Sequence, residues 1–376
     1  MAAVLMAASR CSAAYTLTKL ADNTGTFTSF TAPVINNNGQ VGFGAAQQGT
    51  SGGNYFIYDR ATAQSAFIFN QPSVLTPQMA DNGELAWQFN AGGGNTTVRK
   101  GSPGNVTLIG STPSVVNGLP LGGFNDSPVV NKDGDVSYVA ALATGTQGYA
   151  GLYKEQGANP VTFFNTDTGP GASDGSFFQY RPDVNDNDQI AYMGNRDSSA
   201  GGGQALWLWS KSGNTTDELD SGPASTFFFG PSINEAGEVA YTRSNNSVWV
   251  TQKGSTPQLY TTASAVGQVN IGFLTINNLN QVAFNTNNGG GVETIYVQSG
   301  PSATPVRVIG SGDTFDGSKI DSMFFSRGAF DDAGDIVVGV FLHDGRQELL
   351  LAQVPEPSSA VLCGFICLRW FARRRR

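Results

Sequence analysis

The chain has 376 residues, only 13% of them charged, with a formal net charge of −8 at pH 7 and a single histidine. That acidic balance excludes a polyanion-binding surface, so neither nucleic acid nor an anionic membrane is an expected partner for the body of the chain. Three cysteines are too few for a disulfide scaffold, and 48 glycines beside 40% hydrophobic residues point to a β protein kept soluble by neutral polar groups.

In chain order, Met1–Ala14 (MAAVLMAASRCSAA) has the apolar core and small-residue end of a secretory signal, with Ser12 and Ala14 in the −3 and −1 places but no basic start. Residues 1–14 are therefore expected to be a signal peptide that either starts upstream of Met1 or is weak. Cys11, Cys363 and Cys367 all fall in the two end segments, so an exported, processed form carries no thiol and needs no oxidative folding.

The body, residues 15–353, repeats one pattern: Pro-x-apolar-Asn-x-x-Gly-x-apolar-x-aromatic. It runs from Pro33 to Phe43, from Pro77 to Trp87 with Ala80 in the Asn place, and from Pro128 to Tyr138. It returns from Pro182 to Tyr192 with Asp188 for glycine, from Pro231 to Tyr241, from Leu274 to Phe284 with Asn280 for glycine, and in divergent form from Gly328 to Val338. Asn36, Asn131, Asn185, Asn234 and Asn277 are expected to bond the backbone two residues on. Gly39, Gly83, Gly134, Gly237 and Gly334 would accept positive φ, and each pair then makes a tight hairpin turn.

Around each turn lie four strand-like runs of alternating β-branched or aromatic and polar residues, such as Tyr55–Tyr58, Ala66–Phe69, Ala205–Trp209 and Val306–Ile309. No stretch of the body keeps a helical period. Seven four-stranded units of about fifty residues predict an all-β fold, a seven-bladed β-propeller. The last unit runs out after its third strand, Glu348–Ala352, and its missing fourth strand is supplied by Tyr15–Leu20, which closes the ring without leaving an unpaired edge.

Chemistry-bearing motifs are sparse. His343 sits in His343-Asp344-Gly345, a hairpin turn, so a histidine-based metal centre or triad lacks its parts. Asp183–Asp188 has the opening of a calcium loop, yet its twelfth position is Gly194 where a bidentate glutamate is needed. The same place makes a turn in the other units, and Asn131–Asp135 is read alike. The triple glycines Gly92–Gly94, Gly201–Gly203 and Gly289–Gly291 lead into strands and not helices, which excludes a phosphate cradle. No catalytic residue, metal or cofactor is expected. On the face opposite the hairpins, Asp167, Asp174, Asp313, Asp316 and Asp321 lie among phenylalanines and form a possible ligand face for a surface polysaccharide or a protein. The plainer reading of them is loop acids over blade-packing rings.

The chain closes on Val354, Pro355, Glu356 and Pro357, a short apolar run from Ala360 to Leu368, and Arg373, Arg374, Arg375 and Arg376. Nine residues of helix reach only ~14 Å, against ~30 Å of bilayer hydrocarbon, so this is no comfortable permanent span. The terminal arginines favour the cytoplasmic side. Residues 354–376 resemble the PEP-CTERM sorting tail of exported bacterial proteins, and the repeats resemble the tandem Asn-x-x-Gly-x-Val-Ala-Phe repeats of such proteins. The resemblance implies an exosortase-type sorting enzyme as partner and transient inner-membrane anchoring through the tail. The destination implied is the cell envelope, cell surface or extracellular space, where the expected role is a non-enzymatic binding or structural one. The alternative is a carbohydrate-active propeller enzyme, a glycosidase or lyase using loop carboxylates.

Overall fold

The computed structural model describes residues 15–354 apart from 51, 72–74, 93–94, 144–148, 158–160, 167–181, 197–202 and 224–225. The expected signal peptide, the PEP motif from Pro355 and the arginine end lie outside the described residues, as do Asp167 and Asp174.

The alternating runs fold as seven small antiparallel sheets, the blades of a seven-bladed β-propeller. Blade one holds Phe27–Phe30 with Val34–Ile35, then Gln40–Gln47, Gly53–Asp59 and Gln64–Gln71. Blades two to six follow the same rule, strand beside strand in chain order. Blade five, for example, is Phe228–Ile233, Val239–Arg243, Ser247–Thr251 and Gln258–Thr262. The apolar residue before each motif Asn or its substitute, from Ile35 and Met79 through Val130, Val184, Ile233 and Ile276 to Phe330, lines one shared cavity. Seven sheets contributing the same position to one cavity must encircle a common axis.

Blade seven is completed from the other end of the chain. Strand Thr16–Asp22 pairs antiparallel with Gln347–Gln353, placing Thr16 opposite Gln353 and Asp22 opposite Glu348. Arg346 and Lys19 then share carboxylates across the join. Lys19 Nζ lies 3.0 Å from both Asp22 and Asp316, while Arg346 Nη1 lies 2.6 Å from Asp316 and 2.8 Å from the fully buried Glu348. Gln347 ties the same strand to blade one, exchanging side-chain hydrogen bonds with the Phe30 N–H (3.1 Å) and carbonyl (3.2 Å).

The core is a set of inter-blade layers. The largest cluster runs from blade six (Ile295, Ile309) through blade seven (Val338, Leu349, Leu351) to blade one (Phe30, Phe43, Phe56), so the junction that closes the ring is packed like its neighbour. Two strands in the blade connections, Ser114–Val116 and Thr314–Phe315, were not foreseen. Each forms a two-residue hairpin with the strand that follows, across Asn117-Gly118 and Asp316-Gly317, and all four turn residues have positive φ. The Asn-Gly and Asp-Gly dipeptides were the available signal.

A chain lacking residues 1–22 loses the outer strand and Lys19 together. Its melting temperature should fall by roughly 10 °C, with aggregation through the bared edge of Gln347–Gln353, and a peptide of residues 15–22 added in trans should recover part of the loss. Scanning calorimetry that finds no change would show that closure does not depend on this strand.

Candidate functional site

A propeller offers two places for function, the axial channel and the loop face, and the hairpin motif builds one end of the channel. The Asn side chain does two things at once. Its Oδ1 accepts backbone N–H groups two and four residues on, as in Asn36 with Asn38 (3.1 Å) and Gln40 (2.9 Å). Its Nδ2 reaches into the next blade. Asn36 donates to Ala80 O (3.1 Å), Asn185 to Asn234 O (3.0 Å), Asn234 to Asn277 O (3.2 Å) and Asn277 to Asp331 O (3.1 Å). Gly39, Gly83, Gly134, Gly237 and Gly334 all have φ between +73° and +86°, while Asp188 and Asn280 take the same left-handed place without glycine.

A second ring runs one residue further along. The backbone N–H of Asn37 donates to Asp81 Oδ1 (2.9 Å), that of Lys132 to Asp186 (2.8 Å), that of Asp186 to Glu235 (2.9 Å) and that of Glu235 to Asn278 (2.8 Å). Asn278 continues to Asp332 (2.7 Å), and Asp332 returns to Asn37 Oδ1 (2.8 Å) across the closure. The junction between blades two and three is made differently, because Ala80 has no amide to donate and Lys132 no oxygen to accept. There the buried Lys100 ammonium bridges Glu84 (3.0 Å) and the Gly134 carbonyl, and Asn82 Nδ2 donates to Lys132 O (2.8 Å).

Sequence reasoning missed these partners although a signal was present. The residue after each motif glycine is Gln40, Glu84, Asp135, Gln189, Glu238, Gln281 or Asp335, an amide or an acid in all seven units. Four of them receive the second hydrogen of the motif Asn at 2.9 Å. Asp188, at a glycine place, accepts from Asn131 (3.2 Å), from Tyr153 and from Lys211 (3.1 Å). Asp183 is half-buried, accepts the Ile233 N–H at 3.0 Å, and has its carboxyl pushed up by desolvation against the pull of the Arg327 guanidinium. The Asp183–Asp188 stretch is thus an inter-blade joint, in keeping with the structural reading of it.

The two rings enclose a polar cavity of about 140 Å³ lined by Asp81, Asp186, Glu235 and Asp332 with Lys132. Below it Arg327, 1% exposed, reaches across the axis from blade seven and donates through Nη1 to the carbonyls of Pro182 (3.1 Å) and Pro231 (2.9 Å) in blades four and five. A second cavity of about 250 Å³, apolar and lined by Phe229, Ile271 and Phe273, lies on the loop side of that arginine. Burial, reinforced by the neighbouring Asp186 and Asp81 carboxylates and opposed by the Asp186 N–H and Lys132, pushes Glu235 up to about 7. Burial and Asp335 likewise push Asp331 up to about 6, against the Asp335 N–H.

The described acids of the expected ligand face do not converge. Asp313 caps a turn, accepting the Gly310 N–H (2.8 Å) and pairing with Arg307 (2.8 Å). Asp316 is the first turn residue of the Asp-Gly hairpin, and Lys19 and Arg346 hold its carboxyl below the usual range. Asp321 faces the exposed His343 at 3.3 Å. Phe228 and Phe325 are core residues, whereas Phe227 is half exposed. Among the described residues no group of three or more His, Cys, Asp or Glu side chains is placed to hold a metal ion.

Neither a protein-family model nor a curated protein matches the sequence. Solved propeller structures do. An oligogalacturonate lyase in complex with manganese is 12% identical with a TM-score of 0.60, covering 92% of this chain and 99% of its own. The β-propeller domain of the Trilobed protease from Pyrococcus furiosus is 12% identical with a TM-score of 0.57, covering 88% and 99%. A prolyl endopeptidase is 13% identical with a TM-score of 0.51, and this chain spans 47% of its length. The likeness is one of fold. The Pyrococcus domain is described as having an open velcro topology, whereas here the first strand closes the last blade.

Two substitutions test the rings. Asn234→Ala removes the donor to Asn277 and the acceptor for the Glu238 N–H (2.9 Å), and should cost about 2 kcal/mol in urea unfolding. Because the folded pKa of Glu235 is raised from 4.5, its contribution to stability is full below about pH 4.5 and lost as pH rises through 7. Glu235→Gln should flatten the melting-temperature profile over that window and raise stability near pH 8 by about 1 kcal/mol once solvent screening is allowed for; an unchanged profile would show that this carboxyl ionises freely.

Proposed function

We propose that the chain is an exported, non-enzymatic propeller that is sorted through its C-terminal segment by an exosortase-type enzyme. It then acts at the cell surface or in the extracellular matrix as a binding or structural module. One observation carries the reading: the last strand ends at Gln353, directly before Val354-Pro355-Glu356-Pro357, and the strand pairs that close the ring lie within Thr16–Asp22 and Gln347–Gln353. A cut beyond Val354 therefore leaves every described strand pair in place. The non-enzymatic half is supported by the polar groups at the channel, which are engaged in joining blades. On the loop face Asp313 and Asp316 are each paired with a different arginine and Asp321 lies beside the exposed His343, unlike the paired, open carboxyls of a sugar-cleaving site.

The test is fractionation of a bacterial host with and without its exosortase, expressing the full chain or a chain ending at Val354. The expected outcome is exosortase-dependent loss of the tail, read by mass spectrometry of the C-terminal peptide, with the full chain held in the membrane fraction when the enzyme is absent. Full-length chain recovered uncut and freely soluble in both hosts would overturn the proposal.

A further inference from the structure

We infer that, while the tail is engaged in the membrane, the hairpin face is turned toward the bilayer and the opposite face of second-to-third-strand loops and blade connections is presented outward. This rests on the proposed membrane engagement of the tail, and goes beyond it by fixing which surface a ligand can reach. Ala352 pairs with Ile336, the residue after the Asp331–Asp335 turn, so strand Gln347–Gln353 ends on the hairpin side. Thr16 lies opposite Gln353, and the chain therefore enters the propeller at Tyr15 on the same side. Both ends leave from one face.

The exit is pinned. The Val354 N–H donates to Asp335 Oδ1 at 3.2 Å, and Val354 covers Gly334 so closely that a Cβ there would lie 2.9 Å from its Cγ2. Only residues 355–359 separate Val354 from the apolar run at Ala360, a tether of at most about 22 Å when fully extended. Strand Gln347–Gln353 has seven residues and so spans about 20 Å from the hairpin face to the loop face. To turn the loop face to the bilayer the chain must cover that height and also pass around the outer strand Thr16–Asp22, a path of roughly 25 Å or more that the tether does not span. The hairpin face also carries Asp81, Asp186, Glu235 and Asp332 against Lys132 around its cavity, a balance that gains nothing from anionic headgroups. The tether alone holds the body there.

The test uses the full chain with Cys11, Cys363 and Cys367 changed to alanine. A single fluorophore-labelled cysteine is placed either at Asp133→Cys, on the hairpin face of blade three, or at His343→Cys, on the loop face of blade seven. These side chains are 62% and 79% exposed. Vesicles of phosphatidylethanolamine and phosphatidylglycerol carry a headgroup nitroxide quencher. Quenching at position 133 should exceed that at 343 at least threefold, although blade seven holds the anchor; equal or reversed quenching in vesicle-bound protein overturns the orientation alone. Flotation separates the two claims. If the full chain fails to float with the vesicles, the tail reading falls and the orientation with it. If a chain ending at Val354 floats as well, the body adheres by itself and the tether argument is wrong.

Discussion

The hydrogen bonds that pass from one blade to the next at the hairpin face are the constraint on which the rest of this propeller depends. Sheet hydrogen bonds hold each blade together but say nothing about its neighbour, and side-chain packing between blades is tolerant of sliding. A backbone N–H directed at one oxygen of the next blade is not. Six of the seven junctions use that same donor and acceptor place, and the seventh is bridged by Lys100 and Asn82. In a closed ring a shift at one junction must be absorbed by the others, so a repeated directional bond fixes the spacing of all seven.

The same logic explains the closure. The ends of the chain meet in blade seven, where no covalent bond joins the outer strand to its neighbour. Instead the pairing of Thr16–Asp22 with Gln347–Gln353, the carboxylate cluster around Lys19 and Arg346, and the Gln347 exchange with Phe30 bind the last blade to both chain ends. Asp316, which by sequence resembled a ligand acid, serves this latch. Its location on the loop face is as expected, but its charge is already matched by two cations.

Together the rings and the latch leave a disc whose polar interior is largely committed to its own integrity. What varies from blade to blade is the loop face, including the extra hairpins at Asn117-Gly118 and Asp316-Gly317 and the glycine-rich loop Gly289–Gly291. Variation is thus concentrated on one face and repetition on the other.

By itself the sequence determined the repeat, the strand order within each unit, the turn at every Asn-x-x-Gly place and the closure by Tyr15–Leu20, because these follow from local patterning and from counting strands. Even Asp188 and Asn280 at glycine places were legible, since a short polar side chain tolerates the left-handed conformation. Only the tertiary structure decided that the motif Asn also bonds the next blade, that the residue after the glycine receives its second hydrogen, that Lys100 replaces the missing Ala80 donor, and that Arg327 divides the channel. Those of these bonds that pass between blades join positions from 34 residues apart (Lys100 to Gly134) to 145 (Arg327 to Pro182) through the curvature of the ring. Periodicity shows that such positions are equivalent, but the direction in which one side chain reaches its neighbour exists only once the blades stand side by side.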